Sequence, residues 1–547
     1  MKNGGELIVG ALESLGVSRV FCVPGESYLP VLDALHDSEI ATIVCRQEGG
    51  AAMMAEATGK LGHEPGICFV TRGPGATNAS AGVHVAAQDS TPMILFVGQI
   101  ASSRRHREAF QEVDYQQFLG GMAKWVAEID SAERVLEMVS RAWHVALSGR
   151  PGPVVLVLPE DTLTGLAEAK KLAPAFPSET HPGADDISQM IKRLESADNP
   201  LVILGGSRWS QAAVDQITNF AERFELPVAC SFRRQGLFDH NHRLYAGDVG
   251  LGINPQLVAR IKSCDCLLLV GGRLSEIPSQ DFTLLEIPEP RQPLIHVHPD
   301  PLELGKLYRP VQAINASPVA FCEALEKCRP TGNVPWAGRA REARNQYEEW
   351  TSLDNTLPGA ETLRGVMRFL SESLPDDVVI CNGAGNYAGW IHRFWRFRGF
   401  GSQVAPTSGS MGYGVPAAIA AKMAHPEKTV LAFAGDGCFQ MTCQEFGTAV
   451  QHGAHILAII IDNDMYGTIR MHQEIHFPGR VSATGLVNPY FAALARSYGA
   501  YGATVSSANE LAKVFEDALT SGAPALIRVM VDPDALTPTL SLAAMNQ

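Results

Sequence analysis

The residues best suited to chemistry in this 547-residue chain lie between Thr429 and Gln473. Val430 to Ala434 reads as a short apolar strand, and Gly435-Asp436-Gly437 makes an abrupt turn at its carboxyl end. A helical pattern over about Thr442 to Gln451 leads to a second apolar strand, Ile456 to Ile461, closed by Asp462-Asn463-Asp464. Asp436 and Asn463 stand 27 positions apart, about one βαβ unit, so both reach one crevice at the carboxyl ends of parallel strands. Oxygen ligands so placed suit a hard cation such as Mg²⁺, held by one or two carboxylates plus phosphate oxygens and waters. Gly435 and Gly437 let a diphosphate approach the backbone, and the following helix offers its N-terminal N–H groups. Gly-Asp-Gly alone is an ordinary turn; the second strand ending in Asn gives it weight.

Four more stretches place polar residues at strand ends. In Cys45–Ala52 a strand passes into an Ala- and Met-rich helix, with Glu48 at the junction. A carboxyl in dry, apolar surroundings holds its proton more tightly. The alternative is a helix-starting glutamate facing the dipole. Pro24-Gly25-Glu26 ends another strand, and Glu26 reads as a surface helix starter or as a second acid. The turn Thr71-Arg72-Gly73-Pro74-Gly75-Ala76-Thr77-Asn78 opens a helix and needs unusual backbone angles. In Asn382-Gly383-Ala384-Gly385-Asn386-Tyr387 a Gly-rich turn of the kind that wraps phosphate oxygens follows the strand Val378–Cys381. Thr407 to Gly414 precedes an Ala-rich helix, and Met411 within it reads as a core methionine.

These residues need a scaffold of alternating strands and helices. From 1 to 165, strands are expected at Val20–Val23, Thr42–Cys45, Gly66–Thr71, Met93–Val97 and Pro153–Leu158. A second α/β region, 187–328, has strands at Leu201–Leu204, Pro227–Ser231, Cys266–Val270 and Leu294–Val297; a third, 358–547, ends with Ala525–Val531. Linkers are expected near 166–186 and 329–357. The fold class is therefore α/β, with three doubly wound parallel-sheet domains. The formal charge of −14 argues against nucleic acid or anionic membranes as partners. Eleven cysteines without paired spacing, no 18-residue apolar run and an amphipathic N-terminus fit a cytoplasmic protein with reduced thiols.

On these motifs the chain resembles the thiamine-diphosphate-dependent enzymes, whose cofactor motif is Gly-Asp-Gly, a helix-length interval, then Asn-Asn. The first Asn is Asp462 here, and its role is left unexplained. The resemblance implies Mg²⁺ binding by Asp436, Asn463 and the backbone carbonyl of Met465. It places Pro24, Gly25, Thr71, Gly75, Asn78, Gly385, Asn386, Tyr387, Gly435, Gly437, Cys438, Tyr466 and Gly467 at the cofactor. By the same resemblance the Gly409 carbonyl accepts from the aminopyrimidine amine, and Met411 is the apolar wedge that bends the cofactor. Glu48 hydrogen-bonds the aminopyrimidine ring and shifts it to the imino tautomer that takes the thiazolium C2 proton.

The three regions correspond in that family to pyrimidine-binding, central and diphosphate-binding domains. Ala109-Phe110-Gln111-Glu112 resembles the acetolactate synthase branch (large catalytic subunit), where this run borders the reaction space. Gln111 and Glu26 join Glu48 as candidate catalytic residues. Simple 2-oxo acid decarboxylases carry paired histidines near this position; this chain has none. His472 stands where a Trp is usual in that branch. The implied activity is decarboxylation of a 2-oxo acid followed by carboligation, on a homodimer or homotetramer with sites at the subunit interface. Alternatives are a decarboxylase or C–C hydrolase releasing an aldehyde or acid, and an FAD-containing oxidoreductase like pyruvate oxidase. Leu204-Gly205-Gly206-Ser207 and Gly271-Gly272-Arg273 lie where relatives sometimes bind FAD or ADP, but neither run matches Gly-x-Gly-x-x-Gly.

Overall fold

Segments such as Met93–Gln99 and Pro153–Pro159 are buried along their whole length, as parallel strands covered on both faces must be. The computed structural model describes every residue except 63, 174–177, 333, 358 and 546–547. Its strands form three six-stranded parallel sheets flanked by helices. The first contains β1 (Arg19–Cys22), β2 (Ala41–Val44), β3 (Gly66–Val70), β4 (Met93–Gln99), β5 (Trp125–Glu128) and β6 (Pro153–Pro159), in the order β2-β1-β3-β4-β6-β5. The central sheet contains β7 (Pro200–Leu204), β8 (Val228–Ser231), β9 (Tyr245–Val249), β10 (Cys266–Val270), β11 (Leu294–His298) and β12 (Gln312–Asn315). Its order, β9-β8-β7-β10-β11-β12, is that of a dinucleotide-binding fold, with its switch point between β7 and β10. The third contains β13 (Val379–Asn382), β14 (Gln403–Val404), β15 (Val430–Gly435), β16 (Leu457–Asp462), β17 (Tyr501–Val505) and β18 (Ala525–Met530), in the order β14-β13-β15-β16-β18-β17. The first and third sheets thus share one topology, which their common strand–helix rhythm foreshadows.

Within the three six-stranded sheets, five of the described strands have no counterpart in the sequence reading: β5, β9, β12, β14 and β17. All five lie at sheet edges. An edge strand is covered less completely, so it lacks the continuous apolar run that marks a central parallel strand. The helix expected from about Thr442 to Gln451 runs Glu445–Gln451, and a separate short helix, Asp436–Gln440, precedes it. Two expected linkers carry structure. Leu166–Ala167 pairs antiparallel with Lys2–Asn3, and Ala337–Trp350 is a helix. Residues 174–177 of the first linker and 333 of the second lie outside the described residues.

One apolar cluster runs continuously through the first and third domains. Its seam is α1 (Glu48–Leu61), which packs against the Ala-rich α3 (Gly414–Ala424); α2 (Pro74–Asp89) packs on α1. Small residues permit this: a Cβ on Gly82 of α2 would lie 2.4 Å from the Ala52 methyl. Polar contacts tie both ends of α1 to the third domain. At its start, the buried Glu445 carboxylate accepts the N–H of Gln47 at 2.8 Å and of Arg46 at 3.2 Å. The Val44 N–H of β2 donates to His452 Nε2 at 3.0 Å. Toward its end, Lys60 pairs with Glu56 and Asp89 and donates to the Ala405 carbonyl and the Tyr413 hydroxyl.

Candidate active site

β15 and β16 are neighbours, and α4 (Asp436–Gln440) starts where β15 ends. That geometry brings the Gly-Asp-Gly and Asp-Asn-Asp turns to one rim. A cavity of about 250 Å³ opens there. It is lined by all thirteen of the candidates from this domain: Gly385, Asn386, Tyr387, Gly409, Met411, Gly435, Asp436, Gly437, Cys438, Asn463, Met465, Tyr466 and Gly467.

The loops around the cavity are cross-linked. Tyr387 Oη donates to Cys438 Sγ at 3.1 Å, and the Gly412 N–H donates to the same sulfur at 3.2 Å. The Asn386 N–H donates to Thr468 Oγ1, whose hydroxyl returns to Asn386 Oδ1 at 2.9 Å. Two glycines of the motif are required by close approach. A Cβ on Gly435 would lie 2.8 Å from the Tyr387 ring, and one on Gly437 2.5 Å from the Tyr466 ring.

Asp462 finds its explanation here. It is buried at the end of β16, pairs with Arg528 of β18 and accepts the backbone N–H of Asp464 at 3.1 Å. Asp436, Asp462 and Asp464 each place a carboxylate oxygen within 4.8 Å of the others. Asn488 Nδ2 donates to all three, at 2.8, 2.7 and 3.1 Å. An amide nitrogen is neutral and has only two protons for three acceptors, and among the described residues Arg528 is the one cation paired with the three carboxylates, so the cluster is short of positive charge. Burial, reinforced by Asp462, raises the Asp436 carboxyl to about 6. A hard-oxygen set with excess negative charge, beside a glycine-lined turn and a helix start, fits a divalent cation and a diphosphate. Asn488 and Arg528 were absent from the sequence reading, and Asp464 entered it only as part of the turn closing the strand, because no spacing rule links an asparagine 52 positions downstream to Asp436.

The first-domain candidates form a second, separate patch. A Cβ on Gly25 would lie 2.3 Å from Thr71 Cβ, and one on Gly75 would lie 2.9 Å from Thr71 Cγ2 and 3.4 Å from Glu48 Oε1. Pro24 precedes Gly25 in the same turn. Asn78 Nδ2 donates to Glu48 Oε2 at 2.9 Å. Glu48 is half-buried in the single chain, so the dry setting expected for it is incomplete there. Glu26 is held in an ion pair. Its carboxylate accepts from Arg72 at 2.9 Å, in a cluster that also holds Glu160, and its side chain is 69% exposed. Gln111, at φ +63°, lies against Gly73, where an added Cβ would meet the Gln111 Cβ at 2.8 Å. None of these first-domain residues lines the third-domain cavity of its own chain.

At the central switch point the two Gly-Gly turns abut. A Cβ on Gly206 would lie 1.9 Å from the Gly271 carbonyl oxygen, which leaves no room for a pyrophosphate between those turns. A cavity of about 510 Å³ lies beside them, bordered by Arg234, Arg273, His84 and Ser408. Among the described residues no helix is long and apolar enough to cross a membrane.

Three doubly wound domains, the outer two alike, with a cation- and diphosphate-fitting rim in the third, define a cofactor-dependent α/β enzyme. The comparisons specify which. Residues 2–118 match the thiamine pyrophosphate enzyme N-terminal TPP binding domain, 187–325 the central domain and 383–529 the C-terminal TPP binding domain. The chain is 30% identical to the acetolactate synthase isozyme 2 large subunit of Escherichia coli K12, over 97% of this chain and 96% of that one. It is also 30% identical to a probable acetolactate synthase large subunit of Methanocaldococcus jannaschii (98% and 93% covered), and 28% identical to the acetolactate synthase large subunit of Lactococcus lactis (97% and 92%). The chain belongs to the thiamine pyrophosphate enzymes, in the acetolactate synthase branch.

Proposed function

We propose that this protein is a thiamine-diphosphate- and Mg²⁺-dependent carboligase that decarboxylates a 2-oxo acid and joins the remaining fragment to a second carbonyl compound. The observation that carries this reading is the convergence of thirteen motif residues on one cavity floored by Asp436, Asn463 and Met465. Asp436, the Asn463 side-chain oxygen and the Met465 carbonyl hold Mg²⁺, and the turns at Gly385 and Gly435 take the diphosphate. Bound there, the cofactor supplies the electron sink for decarboxylation. Gly409 and Met411 orient the pyrimidine. Glu48 exchanges a proton with its ring nitrogen, and Asn78 holds the Glu48 carboxyl in place.

Glu48 and its neighbours do not line the cavity of their own chain, so the reading places each site between two subunits of a homodimer, or of a tetramer built from two. Gln111 borders the reaction space from the first domain. Glu26 shapes that rim through Arg72 rather than acting as an acid. The working domain limits are 1–165, 187–328 and 358–547. The test is incubation of the purified chain with pyruvate, thiamine diphosphate and Mg²⁺, with CO₂ measured and products identified by NMR. Formation of a C–C-joined hydroxy-oxo acid supports the reading; acetaldehyde or acetate as the sole product replaces it with one of the non-ligating alternatives.

A further inference from the structure

One central-domain residue reaches into the third domain with no counterpart among the motifs. Arg233 follows β8, is 3% exposed and has φ +56°, a left-handed conformation uncommon outside glycine. Burying a guanidinium and holding a bulky residue at positive φ both cost stability, so the arrangement needs specific compensation. Two backbone carbonyls provide part of it, for the two terminal nitrogens, while Nε is buried without a hydrogen-bond partner. Nη2 donates to the Gly383 carbonyl at 2.9 Å, and Nη1 donates to the Pro406 carbonyl. These two carbonyls stand at the bases of the loops that flank the cavity. Gly383 begins the turn through Gly385 and Asn386. Pro406 begins the segment through Gly409 and Met411, and its carbonyl also accepts the Gly409 N–H at 3.2 Å. Asn382 Nδ2 donates to the same Gly383 oxygen at 2.8 Å, which fixes the direction of that carbonyl. A planar guanidinium spans two acceptors at once, as a single ammonium does less well.

We propose that Arg233 is a positioning residue for cofactor binding: one guanidinium from the central domain sets the separation of the two loops that receive the cofactor. The inference rests on the reading that the third-domain cavity holds thiamine diphosphate. Gln235 offers an internal control. It is 1% exposed and crosses the same domain boundary, donating Nε2 to the His392 carbonyl at 2.7 Å and bonding the Gln403 side chain, yet among the described residues it makes no hydrogen bond to either flanking loop.

The test is calorimetric titration of thiamine diphosphate, at saturating Mg²⁺, into full-length Arg233→Met, Arg233→Lys, Gln235→Met and Asp436→Ala, with thermal unfolding of each. Arg233→Met is expected to raise the cofactor Kd at least tenfold and Arg233→Lys at least threefold. Gln235→Met should lower Tm while leaving Kd within twofold. A smaller effect in Arg233→Met overturns the inference, as does a Gln235→Met loss of affinity equal to that of Arg233→Met. If Arg233→Met does not fold, Arg233→Lys decides by its own threshold. Asp436→Ala separates the two layers. Lost binding there with native affinity in Arg233→Met refutes only the role of Arg233; native binding in Asp436→Ala refutes the cavity assignment and this inference with it.

Discussion

The Glu445 carboxylate accepts the Gln47 N–H at 2.8 Å across the boundary between third and first domains, one residue before Glu48. It also accepts from Arg46 and from the Thr448 hydroxyl at 2.7 Å, and its Oε1 sits 2.6 Å from where a Gly50 Cβ would be. Glu445→Ala leaves these partly buried N–H groups without their carboxylate acceptor, and a hydrogen bond to a charged group is worth about 1.5–3 kcal/mol at most here. The expected outcome is a lowered Tm together with slower C2 proton exchange on bound cofactor, because α1 then starts imprecisely. Glu445→Gln retains one acceptor oxygen and should lose less. Equal Tm values for the alanine variant and wild type would remove this role.

Asp436→Ala is expected to abolish detectable Mg²⁺-dependent cofactor binding, since the diphosphate then faces no bridging cation. Arg528→Met should act in the same direction but more weakly, by releasing Asp462 to compete for the site. Calorimetry on both variants checks the order.

Glu48→Gln should bind the cofactor normally yet exchange its C2 proton at least tenfold more slowly, read by quenched-flow NMR, because the amide cannot shuttle the ring-nitrogen proton. Co-expression of Glu48→Gln with Asp436→Ala tests the shared site. In a mixed dimer one site inherits both defects and the other neither. With random mixing about half the dimers are mixed, so roughly a quarter of wild-type activity should return. No recovery would mean that each site is built within one chain.

The first and third sheets were legible because their central strands are buried on both faces and read as unbroken apolar runs. The strands that escaped, such as Trp125–Glu128 and Tyr501–Val505, have partly exposed residues and sit at edges. Asp436 and Asn463 were legible because strand ends fix their spacing. Asn488, Glu445 and Arg233 were not. Each reaches its target through tertiary contacts between segments 26 to 399 positions apart, and no local pattern encodes such a contact.

Buried histidines set the pH response. Burial lowers His240 and His392 to about 3 in the folded protein. A group whose folded pKa is depressed stabilises the fold above its unfolded value, near 6.5, and loses that contribution as pH falls toward 3. Each histidine therefore removes about 1.4 kcal/mol of stability per pH unit below roughly pH 6. Asp248 opposes this. Burial raises it to about 7, so its contribution is present below its unfolded value, near 4, and is lost as pH rises through 7. His392→Gln should flatten the fall in Tm between pH 6.5 and 5 relative to wild type; an unchanged slope would show that His392 takes up its proton without unfolding.

His472 is exposed on the helix Gly467–His476 and stacks on His476, with ring centroids 6.2 Å apart. An imidazole offers little apolar surface for distinguishing a second substrate by one methylene, a difference worth only about 1–3 kcal/mol even in a good pocket. Competition between pyruvate and 2-oxobutyrate as acceptors should show no strong bias. A strong preference for the larger acceptor would assign the selection to another residue.

The bond from Val44 to His452 has a consequence during synthesis. β2 lies at one margin of the first sheet, and its covering histidine is encoded 408 residues later. At about 5–20 residues per second, that margin leaves the ribosome roughly 20–80 s before its cover exists. An uncovered strand margin is a template for pairing with other nascent chains. Four residues of partly polar strand, Ala41–Val44, make a poor template. The shortness of β2 is thus itself a safeguard for the interval in which the first domain waits for the third.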